Sequence, residues 1–149
     1  MNSLPSEIIP DANILFSFFK IESVRRDIFR ELLKIECKFF APNFVFDELL
    51  SDKEKIKKSA SIDEKEFSYL FQLLNKEINS LSNETYKSTL SKALGISPHA
   101  KDIPYFAVAL LKNIPIWSDE EAFKKQSAVK VFTTKEILDL VKGKIPGNK

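Results

Sequence analysis

The sequence predicts an α/β fold, a three-layer α/β/α sandwich built on a mostly parallel sheet of four or five strands. Short apolar runs alternate along the chain with stretches whose apolar residues recur at the spacing of a helix. Strands that alternate with helices form parallel sheets, and the connecting helices cover both faces. With 149 residues, 44% of them hydrophobic, the chain is long enough for one domain with a substantial core. We expect that domain over residues 1–142, with a frayed tail over residues 143–149.

The first strand is predicted over residues 7–9, where a short apolar run ends at Pro10. A proline inside a central strand would remove a hydrogen bond of the ladder, so Pro10 belongs at the end of the strand. A second apolar run predicts a strand over residues 37–41. Helical spacing predicts three helices, over residues 14–19, 24–33 and 44–56. Asn43 is placed to cap the third of them.

Capping-box spacing marks several helix starts in the second half of the chain. Ser61 and Glu64 have this spacing ahead of a helix that carries Phe67 and Phe71 on one face. The same spacing opens a short helix and the last helix, at residues 118–121 and 133–136. The remaining predicted elements are strands over residues 78–81, 114–117 and 129–132, and helices over residues 84–94 and 103–111. Gly95 is placed to end the first of these two helices.

Composition excludes several classes of protein. The single cysteine, Cys37, rules out an internal disulfide and a cysteine-based zinc site, and its place in an apolar run predicts a buried core thiol. No segment has the length of a membrane span, and the first residues lack the pattern of a signal peptide, so we expect a cytoplasmic protein. The net charge of +2 hides 23 basic side chains offset by 21 acidic ones. If several acids occupy one site, the remaining surface is more basic than the net charge suggests, which suits a phosphate-rich partner, although charge alone identifies none.

Four acids are placed where apolar runs give way to helices: Asp11, Glu48, Asp102 and Asp119. The carboxyl ends of parallel strands meet at one edge of a sheet, so these side chains can converge on a negatively charged pocket. Such a pocket calls for a divalent cation, and carboxylate oxygens are ligands that suit Mg²⁺ and Mn²⁺. Each acid also has an ordinary explanation, because turn, cap and surface carboxylates have the same local sequence.

Neighbouring acids compete with two of the four. Glu48 lies on a helix face that is expected to point inward, whereas Asp47 falls on another side. A semi-buried carboxylate is costly unless it is paired or metal-bound, which favours Glu48 as a ligand, with a salt bridge to a lysine as the alternative. After the strand that ends near residue 117, Asp119 has Glu120 and Glu121 as rivals. We favour Asp119 as the ligand and Glu121 as the capping residue.

Four segments carry a family resemblance. Their sequences are PDANIL at residues 10–15, FDEL at 46–49, KDIPYFAVA at 101–109 and IWSDEEAF at 116–123. In this order and spacing they resemble the successive motifs of PIN-domain ribonucleases, over nearly the whole chain. By motif position, the acidic places of that family fall to Asp11, Glu48, Asp102 and Asp119. Its accessory polar places fall to Asn13 and Ser118.

The resemblance implies a parallel α/β/α sandwich whose acidic cluster lies at the carboxyl end of the sheet. It also implies an endoribonuclease that cuts single-stranded or loop RNA with Mg²⁺ or Mn²⁺. Many such domains are toxins of toxin–antitoxin pairs and are commonly dimeric. An antitoxin protein and a second copy of the chain are therefore expected partners beside RNA, with no membrane. Exposed apolar residues on the helix that carries Phe67 and Phe71 offer one contact for a homodimer.

The residues fit this chemistry independently. An ion held by carboxylates can lower the pKa of a bound water, orient it toward a phosphodiester bond and stabilise the departing oxygen. No protein nucleophile is needed, and the lone His99 is expected at the surface rather than as a general base. Lys101 is the best placed basic residue to bind the sugar–phosphate backbone. Tyr105 and Trp117 are candidates for stacking on bases, although a place in the core explains Trp117 better. Other basic candidates are Arg25, Arg26, Arg30, Lys53, Lys55, Lys57, Lys58, Lys124 and Lys125.

Two other functions compete with this interpretation. A PIN-like module that binds RNA or protein without cutting is the alternative from the binding class, because each motif is weak on its own. A response-regulator receiver also has acids at strand ends, but it needs adjacent acids after the first strand and a phosphoacceptor aspartate after a middle strand. Asp11 stands alone after the first strand, and Glu48 has no place in that scheme, so this hypothesis ranks third.

Overall fold

Five parallel strands form the centre of the structure. The computed structural model describes residues 3–143, so the predicted tail lies outside the described residues except for Gly143. Within that range the strands are β1 (Glu7–Pro10), β2 (Lys38–Pro42), β3 (Ile78–Leu81), β4 (Ile116–Trp117) and β5 (Val131–Phe132). They form one sheet in the order β3-β2-β1-β4-β5, and every neighbouring pair is parallel. The predicted α/β fold with a parallel sheet is confirmed.

Helices connect the strands and flank the sheet. Over the described residues they are α1 (Ala12–Ser17), α2 (Val24–Lys34), α3 (Phe44–Ser51), α4 (Lys53–Ala60), α5 (Glu64–Glu77), α6 (Asn83–Tyr86), α7 (Leu90–Ile96), α8 (Ile103–Lys112) and α9 (Thr134–Gly143). Short 3-10 helices cover Lys87–Thr89, Ala100–Asp102 and Glu121–Lys125. Parallel strands need such crossover connections, because the chain must return to the same end of the sheet before each strand. No helix within the described range is long and apolar enough to cross a membrane.

The core lies on both faces of the central strand β1. Ile8 and Ile9 point to opposite faces of the sheet, and neither has exposed surface. On the neighbouring strand, the ring of Phe39 stacks on Phe29 of α2 with centroids 4.1 Å apart. Cys37 is buried as predicted, and burial raises the pKa of its thiol to about 12. Burial on both faces fixes β1 in the middle of the sheet and so fixes the residue that follows it.

The strand order creates a crevice beside the end of β1. The chain first moves outward through β2 to β3, then returns across β1 to form β4 and β5 on the other side. Open α/β sheets bind ligands at such a reversal, outside the carboxyl ends of the strands. The residues that follow the five strands at this edge are Asp11, Asn43, Ser82, Ser118 and Thr133.

The structure corrects several predicted helix boundaries. The helix predicted over residues 44–56 is two helices, α3 and α4, which are separated at Asp52. Asn43 does not cap α3 with its side chain, because its backbone is itself helical (φ −49°, ψ −39°). Gly95 lies inside α7 rather than after it, and a 3-10 helix interrupts the helix predicted over residues 84–94. Apolar periodicity continues across such breaks, so it cannot locate them.

Capping boxes form at the starts of α9 and α5. At α9, Thr133 and Glu136 exchange side-chain hydrogen bonds with each other's backbone N–H (2.8 and 3.1 Å), as predicted. At α5 the pair is Asp63 and Glu66, two residues beyond the predicted pair. Ser61 instead ends α4 in the left-handed region (φ 56°, ψ 46°), a conformation that favours glycine.

Asp63→Ala should lower the free energy of unfolding by about 1 kcal/mol, because the first turn of α5 loses its capping acceptor. Ser61→Gly should raise it by up to about 1 kcal/mol, because glycine adopts the left-handed backbone without steric cost. Urea unfolding followed by circular dichroism measures both changes. A loss in Ser61→Gly as large as that in Asp63→Ala would contradict the observed cap.

Candidate functional site

The end of β1 holds a buried carboxylate. Asp11 is 5% exposed and caps α1 by accepting a hydrogen bond from the backbone N–H of Ile14 (2.9 Å). Its own N–H donates to the carbonyl of Trp117 (3.0 Å), and the hydroxyl of Ser118 hydrogen-bonds to its carboxylate, so the end of β4 also fixes its position. Burial raises the pKa of Asp11 to about 6, although both hydrogen bonds and the nearby Arg25 oppose that change.

Two further carboxylates reach the same crevice from helices. Glu48 is half-buried on α3, and Asp102 is 8% exposed at the start of α8. Burial is the main cause that raises the pKa of each. Asp52 and Asp102 raise the pKa of Glu48 further, whereas Lys101 lowers it. The acids therefore repel one another in a setting where solvent screens them incompletely.

One pocket of about 230 Å³ joins these side chains. Its acidic lining residues are Asp11, Glu48, Asp52, Asp102 and Glu120. Lys101 and Lys55 also line this pocket. Among residues 3–143, none of the five acids forms an ion pair. We refer to this space as the acidic pocket, because the protein leaves its negative charge largely uncompensated.

Two buried oxygen atoms of the acidic pocket have no hydrogen-bond partner in the described part of the protein, Asp102 Oδ2 and the Tyr105 hydroxyl. Leaving such an atom unsatisfied costs about 1–3 kcal/mol, and each case calls for an explanation such as a bound ion or a functional role. Burial and the surrounding acids hold the pKa of Tyr105 well above its usual value, so its hydroxyl keeps its proton. Tyr105 is 2% exposed and Trp117 has no exposed surface, so neither stacks on a base as the sequence suggested.

Asp119 lies beside the acidic pocket rather than in its wall, and its charge raises the pKa of Asp11. Thr134 N–H donates to its Oδ1 (2.7 Å), while Arg25 Nη2 (2.6 Å) and Thr134 Oγ1 (2.5 Å) donate to its Oδ2. Partial burial would raise the pKa of Asp119, but the hydrogen bonds from Thr134 and Arg25 outweigh burial and lower it. The carboxylate lines a neighbouring cavity of about 500 Å³, and both of its oxygens already have protein partners.

Glu120, one residue further along, lines both the acidic pocket and the neighbouring cavity. Asn13 Nδ2 donates to Glu120 Oε1 (3.4 Å), and the hydroxyl oxygen of Ser118 accepts a hydrogen bond from Glu120 N–H (3.1 Å). Ser118 is fully buried and contacts Asp11 as well, so it links the ends of β1 and β4. The capping box predicted between Ser118 and Glu121 does not form.

Among the other basic residues and the histidine considered for the site, most lie away from the acidic pocket or are bonded to other groups. His99 is exposed and lines neither the acidic pocket nor the cavity beside it, which gives no support to a general-base role. Arg26 is 8% exposed and donates from Nε to a backbone carbonyl (2.7 Å), so it stabilises the fold. Lys53 and Lys57 are bound in ion pairs with an acid of α5. Lys55, between them, is the member of this run that lines the acidic pocket.

The donors of the acidic pocket fit a hard divalent cation. Carboxylate oxygens suit Mg²⁺ and Mn²⁺, and the buried, unpartnered Asp102 Oδ2 is a free ligand atom. Over the described range, no group of three or more histidine, cysteine, aspartate and glutamate side chains is arranged to hold an ion. Mg²⁺ needs only one or two carboxylates, because waters and substrate phosphates complete its octahedron. The pocket therefore fits an ion bound by few carboxylates better than one in an all-protein cage.

Asp11→Asn should stabilise the metal-free protein at neutral pH by up to about 3 kcal/mol, because the folded-state pKa of about 6 lies above the ordinary value of 3.8. The asparagine oxygen can still accept the hydrogen bond from Ile14. The wild-type carboxyl binds its proton more tightly when folded, so its contribution to stability is full below about pH 4 and is lost as the pH rises to about 6. Thermal unfolding in chelator across that range measures the difference. A variant less stable than the wild type at neutral pH would refute the prediction.

The chain matches a known protein family over most of its length. A family model of the PIN domain matches residues 9–141, a range that includes every acid of the pocket. The comparison with curated proteins gives no match. The family model covers most of the chain, from the middle of β1 into the last turn of α9, and the parallel sheet flanked by helices is consistent with this family. The chain therefore belongs to the PIN domain family.

Proposed function

We propose that this protein is a divalent-metal-dependent endoribonuclease that hydrolyses RNA phosphodiester bonds with a metal-activated water. PIN domains are generally nucleases and generally use divalent metals. One observation carries the proposal for this chain: Asp11, Glu48 and Asp102 line one pocket, have raised pKa values and form no ion pair within residues 3–143. Buried acids without cationic partners are costly, and cation binding offsets that cost.

In this proposal one or two of the carboxylates of Asp11, Glu48 and Asp102 bind Mg²⁺ or Mn²⁺ directly, and the remaining acid acts through a water molecule on the ion. A bound ion of this kind lowers the pKa of a coordinated water and stabilises charge on the departing oxygen. Lys101, at the pocket wall, binds a phosphate oxygen and reduces the repulsion between RNA and the acids. Tyr105 keeps its proton and donates a hydrogen bond to a carboxylate or to the attacking water.

We place Glu120 at the fourth acidic position, where the sequence prediction has Asp119. Glu120 lines the acidic pocket and raises the pKa of Asp102, which supports a position near the other acids. Asp119 shares the neighbouring cavity with Asp11 and raises the pKa of Asp11, but both of its oxygens are already bonded to Arg25 and Thr134. Asn13 and Ser118 then act as accessory residues, because both hold Glu120 by hydrogen bonds.

A toxin role, an antitoxin partner, a homodimer and a cytoplasmic location are further proposals that rest on the family resemblance. On the helix suggested for a dimer contact, Phe67 is buried and Phe71 is half-buried, which leaves Tyr69, 65% exposed, as the available aromatic residue. Growth arrest on expression, lost in Asp102→Asn and relieved by a co-expressed neighbouring gene, would support the toxin role. Unimpaired growth would argue for RNA processing instead.

The second candidate function is a catalytically silent module that binds RNA or protein. It is favoured by the finding that no three side chains among the described residues are arranged to hold an ion. The unpaired acids argue against it, because a module without metal chemistry gains nothing from their repulsion.

The response-regulator hypothesis lacks its phosphoacceptor aspartate. The residue that follows β3 is Ser82, and the residue that follows β2 is Asn43.

Incubation of RNA with the protein and Mn²⁺ or Mg²⁺ should give cleavage that chelator abolishes. Asp11→Asn, Glu48→Gln and Asp102→Asn should each slow cleavage at least about a hundredfold. Each removes a negative charge that holds the metal ion, and the ion stabilises the charge of the transition state. Asp47→Asn is the matched control: it removes an exposed acid from the same helix and should leave the rate unchanged. Equal rates for Glu48→Gln and Asp47→Asn would refute the proposed site.

Glu120→Gln should weaken Mn²⁺ binding at least about tenfold, a loss seen even for groups that act through a ligand. Asp119→Asn should leave Mn²⁺ affinity within about twofold, because its oxygens serve Arg25 and Thr134. Titration calorimetry with Mn²⁺ measures both affinities. The reverse result, a loss for Asp119→Asn alone, would restore Asp119 to the fourth acidic position.

A further inference from the structure

A groove adjoins the acidic pocket on the side of α1 and α4. It has a volume of about 350 Å³, and its walls include Phe16, Lys20, Arg25, Lys55 and Ile56. We refer to it as the basic groove. The residues that line both the basic groove and the acidic pocket are Asn13, Phe16, Asp52 and Lys55. The two spaces therefore share one wall.

Two lysines give the basic groove its uncompensated charge. Lys20 and Lys55 are exposed, and neither forms an ion pair within the described residues. The neighbours of Lys55 on α4 differ in this respect, because Lys53 and Lys57 both pair with Glu64 (3.2 and 3.0 Å). The pairing on the other face of α4 leaves Lys55 available to an anionic ligand in the groove.

Arg25 is held in a fixed orientation where the basic groove meets the neighbouring cavity. Its Nε and Nη2 donate to Asp119 Oδ2 (3.1 and 2.6 Å), and its Nη1 donates to the hydroxyl of Ser17 (2.6 Å). A guanidinium carries five N–H groups, so two remain for a ligand. A pre-oriented arginine loses less conformational entropy on binding phosphate than a mobile one does.

Phe16 supplies an aromatic ring at the boundary between the two spaces. It is half-buried, packs against the core, and lines both the acidic pocket and the basic groove. Aromatic rings in such positions bind unpaired bases by stacking, without requiring a particular base. The basic groove therefore combines positively charged side chains, which can bind phosphates, with an aromatic ring, which can stack on a base.

We propose that the basic groove is a substrate subsite for the nucleotide next to the cleaved bond. Lys20, Lys55 and Arg25 bind its phosphates, and the ring of Phe16 stacks on its base. Asp119 is a positioning residue that orients Arg25. The identification of the ligand as RNA rests on the proposed function.

Charge and shape favour a single strand as the occupant. Three cations line the basic groove against one acid, Asp52, which lies on the wall shared with the acidic pocket. Asp119 neutralises part of the charge on Arg25, but it lines the neighbouring cavity and not the basic groove. An unpaired base can present its face to Phe16, whereas the bases inside a duplex are already stacked on one another.

Fluorescence anisotropy of a short labelled single-stranded oligoribonucleotide, in chelator and at several salt concentrations, tests the lysines without cleavage. Lys20→Gln and Lys55→Gln should each weaken binding several-fold and flatten the slope of log affinity against log salt by about 0.7, as for one lost phosphate contact. Lys58→Gln is the control, because it removes the same charge from α4 at a residue outside the groove and the pocket. Equal losses in Lys58→Gln, or unchanged slopes in the groove variants, would overturn the subsite.

The positioning role of Asp119 is tested by a double-mutant cycle. Arg25→Gln and Asp119→Asn should each raise the Kd for the strand, and the KM of cleavage, about tenfold with kcat unchanged. The double variant should bind no more weakly than Arg25→Gln alone, because Asp119 acts through Arg25. Additive losses, or full strand affinity in Asp119→Asn, would remove Asp119 from this role.

Phe16→Leu keeps an apolar side chain against the core but removes the ring, so it should weaken binding of the single strand at least about fivefold. The wild-type protein should also bind a duplex of the same sequence more weakly than the single strand. Unchanged affinity in Phe16→Leu, or equal affinity for duplex and strand, would overturn the subsite. If no RNA is cut but the groove variants still weaken binding, the nuclease function fails and the groove stands as a binding site for a single strand. If RNA is cut while every groove variant binds like the wild type, the subsite fails and the nuclease function stands.

Discussion

Asp11 is held as a buried carboxylate at the end of the central strand, and the rest of the site is arranged around that charge. Burial of Ile8 and Ile9 on the two faces of the sheet fixes β1, and the cap on Ile14 fixes the side chain that follows. On the side of β4, the hydroxyl of Ser118 hydrogen-bonds to the same carboxylate. Each further acid in the crevice adds repulsion, which Lys101 offsets in part and which no ion pair within residues 3–143 removes. A cation in the acidic pocket is the interaction that would offset this repulsion.

The two acids that follow Ser118 after β4, Asp119 and Glu120, differ in their hydrogen-bond partners. Asp119 meets Arg25 and Thr134, its pKa falls, and it ties α2 to the start of α9. Glu120 receives a longer bond from Asn13 and lines the pocket with the unpaired acids. Both residues line the neighbouring cavity, but Glu120 alone of the two also lines the acidic pocket. Local sequence cannot choose between them, because the deciding Arg25 lies 94 positions away in the chain.

Features that follow from local pattern were predictable from the sequence. The alternation of apolar runs and helical periodicity led to the parallel sheet, including the short strand β3, and placed Asp11 and Asp102 at one edge of it. The break between α3 and α4 at Asp52 was not predictable, because the apolar face continues through it. Lys55 on α4 lines the basic groove, whereas its neighbours Lys53 and Lys57 are paired with Glu64. Tertiary partners, rather than spacing, therefore decide which basic residues are available to RNA.

The acidic pocket and the basic groove act in opposite directions on the same strand. Free carboxylates repel a phosphate, while Lys55 attracts one from the wall that the two spaces share. On the proposed function, an ion held by the acids removes the repulsion, and a substrate phosphate provides further oxygen ligands. Each therefore raises the affinity of the protein for the other by the same factor. The groove can then hold a strand without the ion, whereas the phosphate to be cut enters the pocket only together with it.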